Sequence, residues 1–374
     1  MGSGLLSVSI FLNAAFSTVL PDLSSRCSPL AMSSLNIARW WCGRSSSSGY
    51  HRAMADPLLN LPPFKLRFFG PQFWPTWLGL GLLWLLSHLP HRWRRRLGYR
   101  LGTLLLAQNR KRCHIVKTNL ALALPELPPP HAAQLMRQSF GFGGQLMLDL
   151  GLIWWHSATA VQNQIDIQGL EHLQQLSQQQ RPIIAVTAHF HAIDWGGLPF
   201  SRYCRRSAYF AKYTRNPLLN WLLMRGRSRF GARLITRNEP LRPLIRALKQ
   251  RQLDLVYMVV DEDLGQKGSL FAPWFGTPKA TLTTPVKLAK LTGAAILPCH
   301  CWFAPERGRY LLEIQPPLNG LQLEDELAAV SGINHSLEAM VRRHPEHYFW
   351  SLRYYQTRPD GSPSPYSSGI EGGR

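Results

Sequence analysis

The sequence predicts an α/β fold: a mixed, largely parallel sheet flanked by helices, with an N-terminal membrane-anchor helix. Three observations carry that expectation. Short apolar runs recur through the second half of the chain, stretches of helical length separate them, and a long apolar, tryptophan-rich segment precedes both. Strands alternating with helices form parallel sheets covered on both faces.

In chain order, residues 1–53 read as a poorly defined extension. Residues 5–20 are apolar but follow no basic residue, and GRSSSSGY (43–50) is of low complexity; a signal peptide is the less favoured reading. From Met54 the character changes. FWPTWLGLGLLWLLSHL (73–89) holds no charged side chain other than His88. That is about the shortest stretch that spans a hydrocarbon core. Trp74, Trp77 and Trp84 suit a membrane interface, and HRWRRRLGYR and NRKRCHIVK follow. Positive segments stay on the cytoplasmic side and attract anionic lipid. Residues 54–112 are therefore expected to be a membrane anchor with a basic juxtamembrane segment. Pro75 and the marginal length leave an interfacial anchor open, and a buried core helix is the plainer alternative.

Residues 113–358 are expected to form the catalytic domain. Helices are predicted over 130–155 (with a break near Gly143 and Gly144), 216–227, 240–250 and 284–293, the last from its leading proline and closing glycine. Apolar runs at 182–190, 253–261, AAILPCHCWF and RYLLEIQPPL are the predicted strands. DGSPSPYSSGIEGGR suggests a disordered tail over 359–374.

The chain has 374 residues and a formal net charge of +21, with only four arginines and one aspartate in the first 53 residues. The excess belongs to the body and points to polyanionic partners. Nucleic acid is disfavoured, because no recognised nucleic-acid module is present and the aromatics crowd the anchor instead of interleaving with basic residues. Six cysteines without a CxxC pair indicate reduced, cytosol-facing thiols.

TAHFHAIDWGG (187–197) is the densest chemical cluster. His189 and His191 share a strand face and could chelate a metal, but further ligands at suitable spacing are missing, and alternation sends His300 away from Cys299 and Cys301. The favoured reading makes His189 a general base, with Asp194 at the start of the next helix fixing its tautomer. That is the base–orienter half of a catalytic triad, the nucleophile being the substrate's own hydroxyl.

His189 and Asp194 also match the HX4D motif of the glycerolipid and lysophospholipid acyltransferases. NPLLNWLLMRGR, VVDEDLGQKGSLFAPWFGTPKATLTTPVKLAKLTGAAILP and RHPEHYFWSLRYYQTRPDG resemble, in order and spacing, the late acyltransferases of lipid A biosynthesis. The resemblance covers roughly residues 62–366. It implies a glycerolipid acyltransferase-like fold and an enzyme of the bacterial inner membrane, its catalytic domain on the cytoplasmic face. The donor would be acyl-carrier protein, and the acceptor the hydroxyl of an acyl chain on a lipid A precursor. No metal or cofactor is implied. An acyltransferase acting on another glycolipid or lysophospholipid is the alternative. A glycerol-phosphate enzyme is disfavoured, because DEDLGQKGS stands where its proline-glutamate-glycine block belongs. A basic binder without catalysis is the rival of a different class.

The resemblance also implies substrate-binding positions. An arginine of the family falls on Lys212, unless the nearby Arg215 substitutes for it. Arg225 and Arg227 would meet a phosphate or the carrier surface. The family's acidic triplet falls on Asp261, Glu262 and Asp263.

Overall fold

A computed structural model describes residues 63–367 apart from Arg205, Tyr213, Arg237 and Asn238. The expectations for residues 1–53 lie outside the described residues. Among those residues, seven strands form one sheet in the order β1-β9-β8-β2-β5-β3-β4. These are β1 (Ile165–Gln168), β2 (Ile183–Thr187), β3 (Ser207–Ala211), β4 (Arg233–Thr236), β5 (Leu255–Val259), β8 (Ala295–Ala304) and β9 (Arg309–Ile314). Strands β6 (Ser269–Trp274) and β7 (Thr277–Leu282) pair as a separate antiparallel hairpin. From β8 through β4 the strands run parallel; β9 returns antiparallel to β8, and β1 lies parallel to β9. The sheet is thus mixed and mostly parallel, as the alternating pattern predicts.

Burial on both faces explains the composition of the central strands. In β2, Ile184 and Val186 enter one hydrophobic cluster while Ile183 and Ala185 enter the other. The flanking helices are α1 (Trp74–Ser87), α2 (His91–Gln108), α3 (Arg110–Ala123), α4 (Pro129–Trp155), α5 (Leu170–Gln178), α6 (Ile193–Gly197), α7 (Pro217–Ser228), α8 (Leu241–Lys249), α9 (Thr284–Thr292) and α10 (Glu326–Arg343). Local chemistry sets several of their ends. The Asn216 side chain accepts from the N–H groups of Leu218 and Leu219 ahead of Pro217. Gly293, at φ 70°, closes α9 in the left-handed region.

The apolar N-terminal segment departs from its expectation. It forms α1, 14 residues long, hence about 21 Å against the roughly 30 Å of a hydrocarbon core. Among the described residues no helix is long and apolar enough to cross a membrane. Pro90 disfavours helix at the residue before it, and the chain re-enters as α2. Leu80 and Leu83 are buried, whereas Trp74, Leu78, Leu82 and Leu85 are 57, 74, 57 and 60% exposed. The helix therefore lies against the body and presents an apolar stripe outward.

The basic segment beyond it is equally part of the fold. Within α2, Arg94 is buried and donates to Asp149 of α4 at 2.6 Å, and the Tyr310 hydroxyl donates to the other carboxylate oxygen at 2.7 Å. The α2–α4 crossing also explains the glycines read as a helix break. A Cβ on Gly102 would stand 2.0 Å from the Phe140 carbonyl oxygen, and one on Gly144 2.2 Å from that of Gly98. These glycines let two helix backbones touch, and α4 runs through them unbroken. At the other end, Tyr366 is buried and donates to Asn119 Oδ1 at 2.5 Å. The segment read as tail from residue 359 is thus bound to the body as far as Tyr366.

Candidate active site

Two adjacent parallel strands build the site. β2 and β5 pair in register with Thr187 opposite Val259, and the ladder continues as Val260 N–H donates to the Thr187 carbonyl. His189 lies two residues beyond Thr187 and Asp261 two beyond Val259. Equal offsets from paired residues bring them together at the carboxyl edge of the sheet, where α/β proteins place their ligands.

The Asp261 carboxylate accepts three hydrogen bonds. Its Oδ1 lies 2.5 Å from His189 Nδ1, and its Oδ2 accepts from the His189 main-chain N–H at 2.8 Å and the Tyr348 hydroxyl at 2.7 Å. Asp261 is fully buried. Burial alone would raise its carboxyl pKa, but the charge and hydrogen bonds of His189, with the Tyr348 hydroxyl, outweigh it and hold the pKa below the usual carboxylate range. The pair resembles the oriented histidine of a triad. A C-terminal strap fixes it from outside: Phe349 N–H donates to the His189 carbonyl, His191 N–H to the His347 carbonyl, and Phe190 bridges Tyr348.

Here the expected partner is corrected. The carboxylate on Nδ1 is that of Asp261, and Asp194 is held elsewhere. From the first turn of α6, Asp194 accepts from Arg227 Nε at 2.6 Å and Nη2 at 3.3 Å, a two-pronged grip by a guanidinium at the end of α7. Gly226 allows α7 that approach, because a Cβ there would meet the Trp154 ring at 2.5 Å.

The two histidines of the cluster have different surroundings. His191 Nε2 lies 3.1 Å from Ser139 Oγ, and burial lowers its pKa to about 3 despite that contact. It is a neutral core residue. Among the described residues no group of three or more His, Cys, Asp or Glu is placed to hold a metal ion.

The remaining expected positions separate. Lys212 Nζ lies 3.5 Å from Glu262, the Arg225 guanidinium 5.6 Å from the Trp221 ring centroid, and Arg215 is exposed. Asp263 accepts from Thr357 N–H at 2.6 Å and Thr357 Oγ1 at 2.8 Å, tying down the strap. Tyr348 is a site residue that reading the sequence missed. Its signal was the aromatic run HYFW, which nothing local connects to His189.

An HX4D histidine locked to a buried carboxylate at the edge of a mostly parallel sheet places the chain among the acyltransferases. More narrowly, it belongs to the bacterial lipid A biosynthesis acyltransferase family, which matches residues 61–357. It is 31% identical to the lipid A biosynthesis lauroyltransferase of Escherichia coli K12 over 83% of this chain and 100% of that protein. To the palmitoleoyltransferase of the same organism it is 32% identical, over 81% of this chain and 98% of the relative. The corresponding myristoyltransferase is 26% identical, over 82% and 94%.

Proposed function

We propose that this enzyme transfers a fatty acyl group from acyl-carrier protein to a hydroxyl of an acyl chain on a lipid A precursor, with His189 as general base and Asp261 as its orienting carboxylate. The observation that carries the reading is the buried His189–Asp261 pair at 2.5 Å, beside Tyr348. With Nδ1 turned to Asp261, Nε2 is the nitrogen that takes the acceptor's proton. The oxygen attacks the thioester carbonyl, a tetrahedral intermediate forms, and the carrier's thiolate leaves with the proton returned by the imidazolium. The thioester is already activated, so a positioned base supplies the missing ingredient. Arg227, braced by Asp194, suits a phosphate of the glycolipid or a carboxylate of the carrier.

The outward stripe Trp74, Leu78, Leu82 and Leu85, with the exposed Arg92, Arg96 and Arg100 of α2, suits a helix lying in the interface of an anionic membrane. That arrangement supports membrane association at the cytoplasmic face, where the carrier protein is available. The test is transfer of a labelled acyl group from acyl-carrier protein to a hydroxyacylated precursor. His189→Ala should lower turnover about 10²–10⁴-fold, and His191→Ala far less. Comparable losses in both would count against the assignment.

A further inference from the structure

Lys279 of β7 is fully buried, in a hairpin whose neighbouring buried positions hold Ala272, Trp274 and Ala280. A lysine is almost never fully buried unless paired. Its Nζ donates to the Asp261 main-chain oxygen at 3.0 Å and lies 5.5 Å from the Trp274 ring centroid. The carboxylates facing it are Asp261, Glu262 and Asp263 after β5, and Glu338 on α10.

We propose that Lys279 is a positioning residue for acyl transfer, its ammonium holding the Asp261 main chain and compensating the Asp261 carboxylate while His189 is neutral. The inference rests on the proposed base role of His189. Before a proton is taken up, Asp261 is a buried anion whose histidine partner carries no charge. Burying an uncompensated charge is costly, and Lys279 supplies the opposite charge from the far side of the same residue. Once His189 is protonated, the same ammonium disfavours the imidazolium and helps it return its proton to the leaving thiolate. Burial lowers the Lys279 pKa to about 8, with the four carboxylates opposing that shift, so the group is largely charged at neutral pH.

Lys279→Met removes both charge and hydrogen bond; Lys279→Gln removes the charge and leaves a shorter, neutral donor. We expect Lys279→Met to melt below the parent but still cooperatively, because it leaves the buried Asp261 carboxylate without its compensating charge. Its kcat should fall about 10- to 100-fold, about 1.4–2.7 kcal/mol of barrier, with KM unchanged. In both variants the acidic limb of the kcat/KM profile should move up by about one pH unit, because the carboxylate now favours the protonated imidazole without opposition. Lys279→Gln should lose less kcat. If Lys279→Met does not fold, the shift in Lys279→Gln decides. A parent-like pH profile in the folded variants, or a loss of rate that merely tracks loss of folded protein, would overturn the inference. His189→Ala measured alongside separates the two ideas. An active His189→Ala removes the base role itself, whereas an inactive one beside parent-like Lys279 variants removes only this inference.

Discussion

Replacing Asp261 by asparagine keeps the shape of the site and changes one donor–acceptor relation. Oδ2 accepts from two fixed donors, the His189 N–H and the Tyr348 hydroxyl, so the amide oxygen is best placed there. The amide NH₂ then faces His189 Nδ1, 2.5 Å from the oxygen it replaces. Two donors cannot share that contact, so the imidazole must put its proton on Nε2, the nitrogen required as base. In a serine protease the equivalent change lowers kcat about 10⁴-fold, equivalent to about 5.5 kcal/mol of barrier. We expect a loss of about 10³–10⁴ in single-turnover acyl transfer, with acceptor binding retained and cooperative melting preserved. Asp194→Asn, by contrast, should act through Arg227 and raise KM for acceptor or carrier more than it lowers kcat. The reasoning fails if Asp261→Asn keeps its rate within tenfold, or if Asp194→Asn loses kcat as deeply with KM unchanged.

Two further outcomes follow from the geometry. Changing Leu78, Leu82 and Leu85 together to serine removes three outward side chains, each worth up to about 1.5–3 kcal/mol when buried in lipid; flotation with anionic vesicles should show at least a hundredfold weaker association, and deletion of residues 1–53 no change. His191, His300 and His347 are held neutral by burial, with pKa values of about 3 for the first and well below the usual value for the others. The unfolded chain takes up these protons near pH 6.5 and the native chain does not, so stability is complete above that pH and declines below it. For His191 the window runs from 6.5 to about 3, at up to about 1.4 kcal/mol per pH unit. Thermal melts should change little from pH 8 to 7 and fall clearly below 6.5, and a flat profile down to pH 5 would contradict the neutral-histidine reading.

What the sequence reveals follows the range of each interaction. Strands β2, β5, β8 and β9 are legible because burial demands apolar runs. The edge-side strands β1 and β4 are only four residues long, and IDIQ and RLIT mix polar with apolar residues, so neither forms an apolar run. Gly143 and Gly144 look like a helix break in isolation, and Gly144, with Gly98 and Gly102, is a contact point only once α2 and α4 cross. His189 stands out through its spacing to Asp194, but nearness in sequence suggests the wrong carboxylate. Asp261 lies 72 residues away and Tyr348 a further 87 from Asp261. Only the adjacency of β2 and β5, closed by the C-terminal strap, brings the three together. The tryptophan-rich segment has the composition of a membrane span, while Pro90 and the length of α1 lead to a helix lying on the body.

Acyl addition to lipid A can be read directly by mass spectrometry. A bacterial host lacking its own late acyltransferase is complemented with the parent gene or with His189→Ala. The parent should add the mass of one fatty acyl group, which reads out chain length, and His189→Ala should add none at equal expression. Lipid A of unchanged mass with the parent gene, or the same added acyl group with His189→Ala, would contradict the proposed function.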